Sequence, residues 1–235
     1  MLLACTCGFK MRTLYHYPLC AFSRIVRLYL NEAALPYEAV LERPWDRKHV
    51  FSEKHMISDV PTLEEKVGVV LEGWYAITEH LEQAQQSRRS HALLGKSPLG
   101  KAEIRKITSM FNEMFFADVT KFIVFEKIFK KHIDGKPPDS VLIRRGCSNV
   151  KVYFEYLAWL IDHRNWLAGN DFSIADISAA AHISCLDYVG SINWDSHPIV
   201  KEWYVRIKSR PTFREILNDR ISDYQPSTHY SDLDF

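Results

Sequence analysis

Thr13-Leu14-Tyr15-His16-Tyr17-Pro18-Leu19-Cys20-Ala21-Phe22-Ser23-Arg24-Ile25-Val26-Arg27 sets the architecture of the N-terminal part of this chain. Thr13–Tyr17 is β-rich, and Pro18–Phe22 interrupts it. A helical pattern then places Val26, Leu30, Ala33 and Ala34 on one face. Downstream, Tyr37–Leu41 reads as a second strand. Arg43-Pro44-Trp45 ends it, because proline cannot donate to a ladder. Asp46–His55 is polar and helix-compatible. Thr62–Glu64 and Val67–Leu71 read as a hairpin, and Trp74–Ala84 is a helix with apolar Ala76, Ile77 and Leu81. The order β-α-β-α-β-β-α predicts a thioredoxin-like α/β domain. Its first two strands should be parallel, since a helix crosses between them, and its closing hairpin antiparallel.

Beyond this domain the strand signals fade. Lys101–His132 carries Ile104, Ile107, Phe111, Met114, Phe115, Phe122, Phe125 and Phe129, a long helix or one with a single break, stopped at Asp134-Gly135-Lys136-Pro137-Pro138. Further helices are expected over Ser148–Trp166, Ala175–Val189 and Pro198–Ser209. The domain reading is a leader over 1–11, the α/β domain over 12–85, a polar linker over 86–98, an all-helical C-terminal domain over 99–218 and a polar tail over 219–235. The leader lacks a basic start and a long apolar stretch, and Met11 is the expected functional start.

Apolar residues make up 47% and charged residues 25% of the 235, the balance of a chain that folds around a core. The formal charge of +1 supplies no long-range attraction to nucleic acid or anionic lipid, so neither is an expected partner. No apolar run is long enough to span a bilayer, and no membrane association is expected. The five cysteines are odd in number and scattered, which fits a reducing cytoplasm better than a disulfide framework. No pair among the ten histidines has metal-ligand spacing on one helix face, so no metal is expected. Lys127, Lys130 and Lys131 read as a solvated helix face.

Three motifs occur in order. Tyr17–Arg27 resembles the first strand-loop-helix of glutathione transferases. Asp59-Val60-Pro61-Thr62-Leu63 resembles their turn with a cis proline, which turns the backbone of the preceding residue toward a ligand. Gly169-Asn170-Asp171-Phe172-Ser173-Ile174-Ala175-Asp176-Ile177 resembles their helical-domain motif; physically it is a capping box between Ser173 and Asp176. Together they imply the glutathione-transferase fold over about 12–211.

A narrower resemblance rests on Glu42-Arg43-Pro44-Trp45, Ala179–Tyr188, Trp194-Asp195, Lys201-Glu202-Trp203-Tyr204, Lys208-Ser209-Arg210-Pro211 and the terminal His229–Phe235. These stretches resemble the transferase-like, FtsZ-binding cell-division proteins of alphaproteobacteria. That resemblance implies a non-catalytic homodimer acting on FtsZ at midcell.

The resemblance places Cys20 where transferases activate the glutathione thiol. A cysteine at a helix start near Arg24 and Arg27 is expected to gain thiolate character, which suits disulfide exchange; the bland reading is a small residue filling a loop. Val60, Pro61, Gly73 and Trp74 are the remaining glutathione-site equivalents. Gly73 and Trp74 stand where transferases carry a Glu-Ser pair, and neither supplies a carboxylate or hydroxyl. Losing both anchors removes about 2–5 kcal/mol of recognition. No cofactor is therefore expected to be required, and glutathione, if bound, is expected to bind weakly. The alternative is a cysteine-type glutathione transferase or thioltransferase.

Trp45, with Arg47, reads either as an exposed partner anchor or as a plug between the small domain and a dimer mate. Tyr230, Asp232, Leu233, Asp234 and Phe235 form a tail that either docks on its own domain or serves a partner. The dimer face is expected to include Ile77–Gln85 and the helix from Lys101.

Overall fold

The structure, a computed structural model, describes residues 11–46, 60–66, 68–85 and 93–233. Four strands form one mixed sheet: β1 (Arg12–His16), β2 (Tyr37–Leu41), β3 (Thr62–Lys66) and β4 (Val69–Glu72), in the order β2-β1-β3-β4. β1 and β2 are parallel, with Leu14 opposite Ala39. β3 runs antiparallel to both β1 and β4, with Leu63 opposite Leu14 and Leu71. The parallel pair and the antiparallel hairpin are as the crossover logic requires. The helix expected over Asp46–His55 lies outside the described residues apart from its first position, and so does Arg47.

Helices α1 (Ala21–Glu32) and α2 (Trp74–Gln85) complete this domain. α1 buries Ile25, Val26, Leu28, Tyr29 and Leu30. The Tyr29 hydroxyl donates to the Glu82 carboxylate, locking α1 to α2.

The second domain opens with α3 (Pro98–Ser109), started by Ser97, whose hydroxyl accepts the Gly100 N–H at 3.0 Å. The helix continues without a break through a segment of wider, π-type hydrogen bonding (Met110–Phe129) into α4 (Lys130–Ile133). α5 (Ser140–His163) begins eight residues before the expected Ser148. The Asp139 carboxylate accepts the Val141 and Leu142 N–H groups at 2.8 and 3.3 Å and caps it. Its first turn carries Val141, Leu142 and Ile143 as a consecutive run in which Val141 is exposed, so helical spacing does not mark this start in the sequence. Where α5 crosses the π segment, a Cβ on Gly146 would lie 2.7 Å from Ile123, so only glycine allows this approach.

α6 (Ile174–Tyr188) is the centre of the domain, with all its residues buried. A helix buried on every side is a core helix, and Ala179, Ala180 and Ala181 let α1, α3 and the π segment approach it. The expected capping box is formed: Ser173 accepts from Ala175 N–H at 3.3 Å, and Asp176 accepts from Ser173 N–H at 3.1 Å. The other Asp176 oxygen takes the Leu167 N–H at 3.0 Å. Burial raises this carboxyl to about 6 despite these bonds. α7 (Pro198–Lys208) and the short α8 (Arg214–Leu217) follow. Among the described residues beyond 100 there are only isolated β-bridges, Trp166 with Gly169 and Ile221 with Tyr224.

Buried charge joins the domains. Arg24 is fully buried and donates to the Pro18 carbonyl (2.6 Å), the Ser184 hydroxyl (2.7 Å) and Asp219 (3.4 Å). Arg27 donates to Asp219 (2.8 Å) and Glu215 (2.9 Å). Glu215 also accepts from Asn31 (2.8 Å) and Tyr37 (3.0 Å). Burial pushes the Glu215 carboxyl up, but Arg27 and these hydrogen bonds outweigh it, so it sits below its ordinary value. Arg210 grips Glu32 with two bonds of 2.7 Å.

Candidate functional site

Cys20 immediately precedes α1. Its carbonyl accepts the Arg24 N–H at 3.0 Å, and its N–H donates to Tyr17 at 3.0 Å. Its half-buried thiol lies 3.6 Å from the Val60 carbonyl. The Val60–Pro61 peptide is cis, and the Pro61 carbonyl accepts the Gly73 N–H at 3.0 Å. Trp74 then opens α2, its ring edge-on to Tyr75 at 5.6 Å. The structure thus brings Cys20, Val60, Pro61, Gly73 and Trp74 into one locus.

Two features limit its chemistry. The guanidiniums expected to draw Cys20 toward the thiolate are engaged elsewhere: Arg24 by Ser184 and Asp219, Arg27 by Asp219 and Glu215. Their charge is paired with the carboxylates of Asp219 and Glu215 at the junction of the two domains. Gly73 has φ +79°, and a Cβ there would meet nothing within 4 Å. Backbone handedness, not lack of space, favours glycine at this helix entrance. The position therefore brings only main-chain donors and acceptors to the site.

Trp45, expected either as an exposed anchor or as a plug against a dimer mate, packs within its own chain. It is half-buried, edge-on to Tyr17 (5.1 Å) and Phe129 (5.9 Å), and stacked on His132 (4.4 Å, 7°). It wedges between the two domains of its own chain. Lys127 is not a solvated lysine either: it donates to the Val189 carbonyl (3.0 Å) and the Ser191 hydroxyl (2.8 Å), and burial lowers its pKa.

The tail docks as far as it is described. Tyr230 is fully buried, edge-on to Tyr188 at 5.0 Å, with its hydroxyl donating to the Ile216 carbonyl at 3.0 Å. It is an internal anchor, so it drops out as an exposed partner contact. Leu233 is half-buried against the core, and Asp232 is exposed. Asp234 and Phe235 lie outside the described residues. Beneath the tail sits Asp187, fully buried at the end of α6. It accepts from Trp194 (2.9 Å) and Tyr204 (3.3 Å), meets His229 at 2.9 Å, and lies 3.8 Å from the Lys208 ammonium. Lys208 donates to the Asp232 carbonyl at 2.5 Å, and Ser227 to the Asp187 carbonyl at 2.7 Å. Burial raises the Asp187 carboxyl and lowers the Lys208 ammonium to about 8.

Comparison with known proteins gives this geometry a context. The glutathione S-transferase N-terminal domain family matches residues 14–89, and the C-terminal domain family matches 148–211. FtsZ-localized protein A of Caulobacter vibrioides is 37% identical over 227 residues, spanning 95% of this chain and 98% of that protein. The chain belongs to the glutathione S-transferase family. The solved structure of FzlA from C. crescentus superposes on this transferase-family chain with a TM-score of 0.90 at 37% identity, covering 96% of this chain and all of that one. A glutathione S-transferase from Rhodospirillum rubrum F11 superposes with a TM-score of 0.91 at 43% identity, covering 96% and 100%.

Within the transferase fold, Asp187, Tyr188, Trp194, Tyr204 and Lys208 have no role that local spacing reveals. The structure gathers them into one clasp under the tail. A signal was present: Asp187 is the one acid after Asp176 in α6, and Lys208 follows the buried Ile207. A charge inside an apolar pattern calls for a buried partner. On α2, Ile77 and Leu81 are fully buried in their own domain, while Tyr75, Ala76, His80, Gln83 and Ala84 are exposed.

Proposed function

We propose that this chain is a transferase-fold regulator of bacterial cell division that binds FtsZ and does not depend on glutathione catalysis. The observation that carries this reading is the 37% identity to FtsZ-localized protein A, sustained over nearly the whole of both chains. The site geometry supports it. Gly73 supplies no carboxylate, Trp74 no hydroxyl, and the arginines beside Cys20 serve the domain junction. The chain acts in the cytoplasm at midcell, where FtsZ assembles. Among the described residues, no helix is long and apolar enough to cross a membrane.

The working unit is a homodimer. Exposed Met114 (58%) and Val152 (65%) flank an apolar groove between α5 and the α3–π helix, lined by Ile107, Met110, Tyr153 and Tyr156. An exposed patch of this kind fits a self-complementary two-fold contact. Light scattering at micromolar concentration tests it: a monomer would reject the dimer.

Co-sedimentation with FtsZ polymers tests the main reading. The chain should pellet with polymer and stay soluble without it; failure to pellet overturns the proposal. The second reading is a cysteine-type glutathione transferase, supported by Cys20 beside the Val60 carbonyl and by the Rhodospirillum structure. Retention on immobilised glutathione would promote it.

A further inference from the structure

The long helix that opens with α3 ends at Ile133, and His132 lies in its last turn. The imidazole meets two other parts of the chain. Its face stacks on Trp45, in the loop after β2, with ring centroids 4.4 Å apart and planes 7° from parallel. Its Nε2 lies 3.0 Å from a carboxylate oxygen of Asp223, in the segment between α8 and the docked tail. Behind Trp45, the Tyr17 and Phe129 rings close edge-on. The Tyr17 carbonyl in turn holds the Cys20 N–H. One half-buried side chain thus joins the small domain, the helical domain and the segment leading to the tail.

Each contact favours the protonated ring. An imidazolium over an indole face gains a cation–π attraction that the neutral ring lacks. A carboxylate at 3.0 Å bonds more strongly to a charged donor. The end of a helix attracts positive charge in its last turn. The other charges around the ring are matched. Arg43 pairs with Asp46 at 3.8 Å, and Lys130 with Glu126 at 2.7 Å. Lys131 and Asp134, beside His132 along the chain, are exposed and opposite in sign. Tyr17 stays neutral, because burial, and after it Asp223, pushes its phenol up to about 12. Of these side-chain types, imidazole is the one whose charge changes between about pH 5 and 8.

We infer that His132 is a pH-dependent latch between the two domains: protonated, it clamps the Trp45 loop to the long helix and to Asp223; neutral, it lets that loop loosen beside Tyr17. The closed junction binds the proton more tightly than the open one, so closure is fullest in mild acid and is lost as pH rises. The latch goes beyond the function proposed above and operates whether or not FtsZ is bound.

Indole emission is the probe. An imidazolium in contact quenches a stacked indole, and a neutral imidazole quenches it far less. The emission of the full chain minus that of Trp45→Phe isolates Trp45 from the other tryptophans. This difference should rise at least about twofold, in one step, between about pH 5 and 8. His132→Gln should abolish the step, and Asp223→Asn should move its midpoint down by about 0.5–1 pH unit. Acrylamide collisions with Trp45, corrected for lifetime, should be about two- to threefold faster at the alkaline end in the wild-type chain and pH-independent in His132→Gln. A flat emission profile, or a step that survives in His132→Gln, overturns the inference. An unmoved midpoint in Asp223→Asn does so too, and so does acrylamide access that ignores pH in the wild-type chain.

Discussion

Tyr230→Ala tests whether the tail is part of the folded domain. The wild-type ring is fully buried, edge-on to Tyr188, and 5.9 Å from the Arg24 guanidinium. Its hydroxyl satisfies the Ile216 carbonyl. Truncating a buried aromatic to alanine costs about 3–5 kcal/mol through lost transfer energy and the cavity left behind. The tail can peel away instead of leaving a void, so the loss is bounded by the docking energy of its other anchors, the Asp187–His229 contact and the Lys208 bond to Asp232. Tyr230→Phe isolates the hydrogen bond: it keeps the ring and leaves the Ile216 carbonyl unpaired, at about 1–2 kcal/mol. Each kcal/mol corresponds to about 2–4 °C for a chain of this size. Scanning calorimetry should therefore rank wild type above Tyr230→Phe by about 2–8 °C, with Tyr230→Ala lower still. If Tyr230→Ala melts within about 1 °C of wild type, the tail is not docked in solution and the clasp has no energetic role.

Acid should weaken the fold partly through His182. This ring is fully buried; its Nδ1 meets the Thr120 hydroxyl at 2.9 Å, its Nε2 meets the Asn112 carbonyl oxygen at 3.1 Å, and burial lowers its pKa to about 3. Between about pH 6.5 and that value the unfolded chain takes up a proton that the folded chain refuses, so stability falls as pH falls. His182→Gln should flatten the dependence by about 1.4 kcal/mol per pH unit between pH 6 and 4 in urea titrations; an unchanged slope would reject the assignment. Gly73→Ala should cost about 1 kcal/mol in denaturant melts although the site is open, because φ +79° disfavours any Cβ; a neutral or stabilising effect would contradict this. Cys20→Ser should leave co-sedimentation with FtsZ intact, and aryl-halide conjugation by the natural chain should be near background. Robust glutathione-dependent turnover that disappears in Cys20→Ser would reverse the functional reading.

Local pattern was enough for much of this protein. The alternation between β-rich runs and helical spacing before residue 85 gave the order of elements along the chain, the parallel first pair and the antiparallel closing hairpin, because a crossover helix and a tight hairpin each permit one arrangement; that β1 sits between β2 and β3 is seen only in the structure. Ser173 and Asp176 announced their cap because a capping box is completed within four residues. Only the tertiary structure decided what depends on distant partners. Trp45 reads alike as an anchor or a plug until Tyr17, Phe129 and His132 close around it. Arg24 and Arg27 read as activators of Cys20 until Glu215 and Asp219, nearly two hundred positions away, claim their charge. Tyr230 reads alike as a docking anchor or a recognition residue until Tyr188 and Ile216 bury it. Sequence periodicity records which face of an element is apolar. The side chain that meets a buried charge or ring is fixed by how the two domains and the tail pack, and no local spacing encodes that.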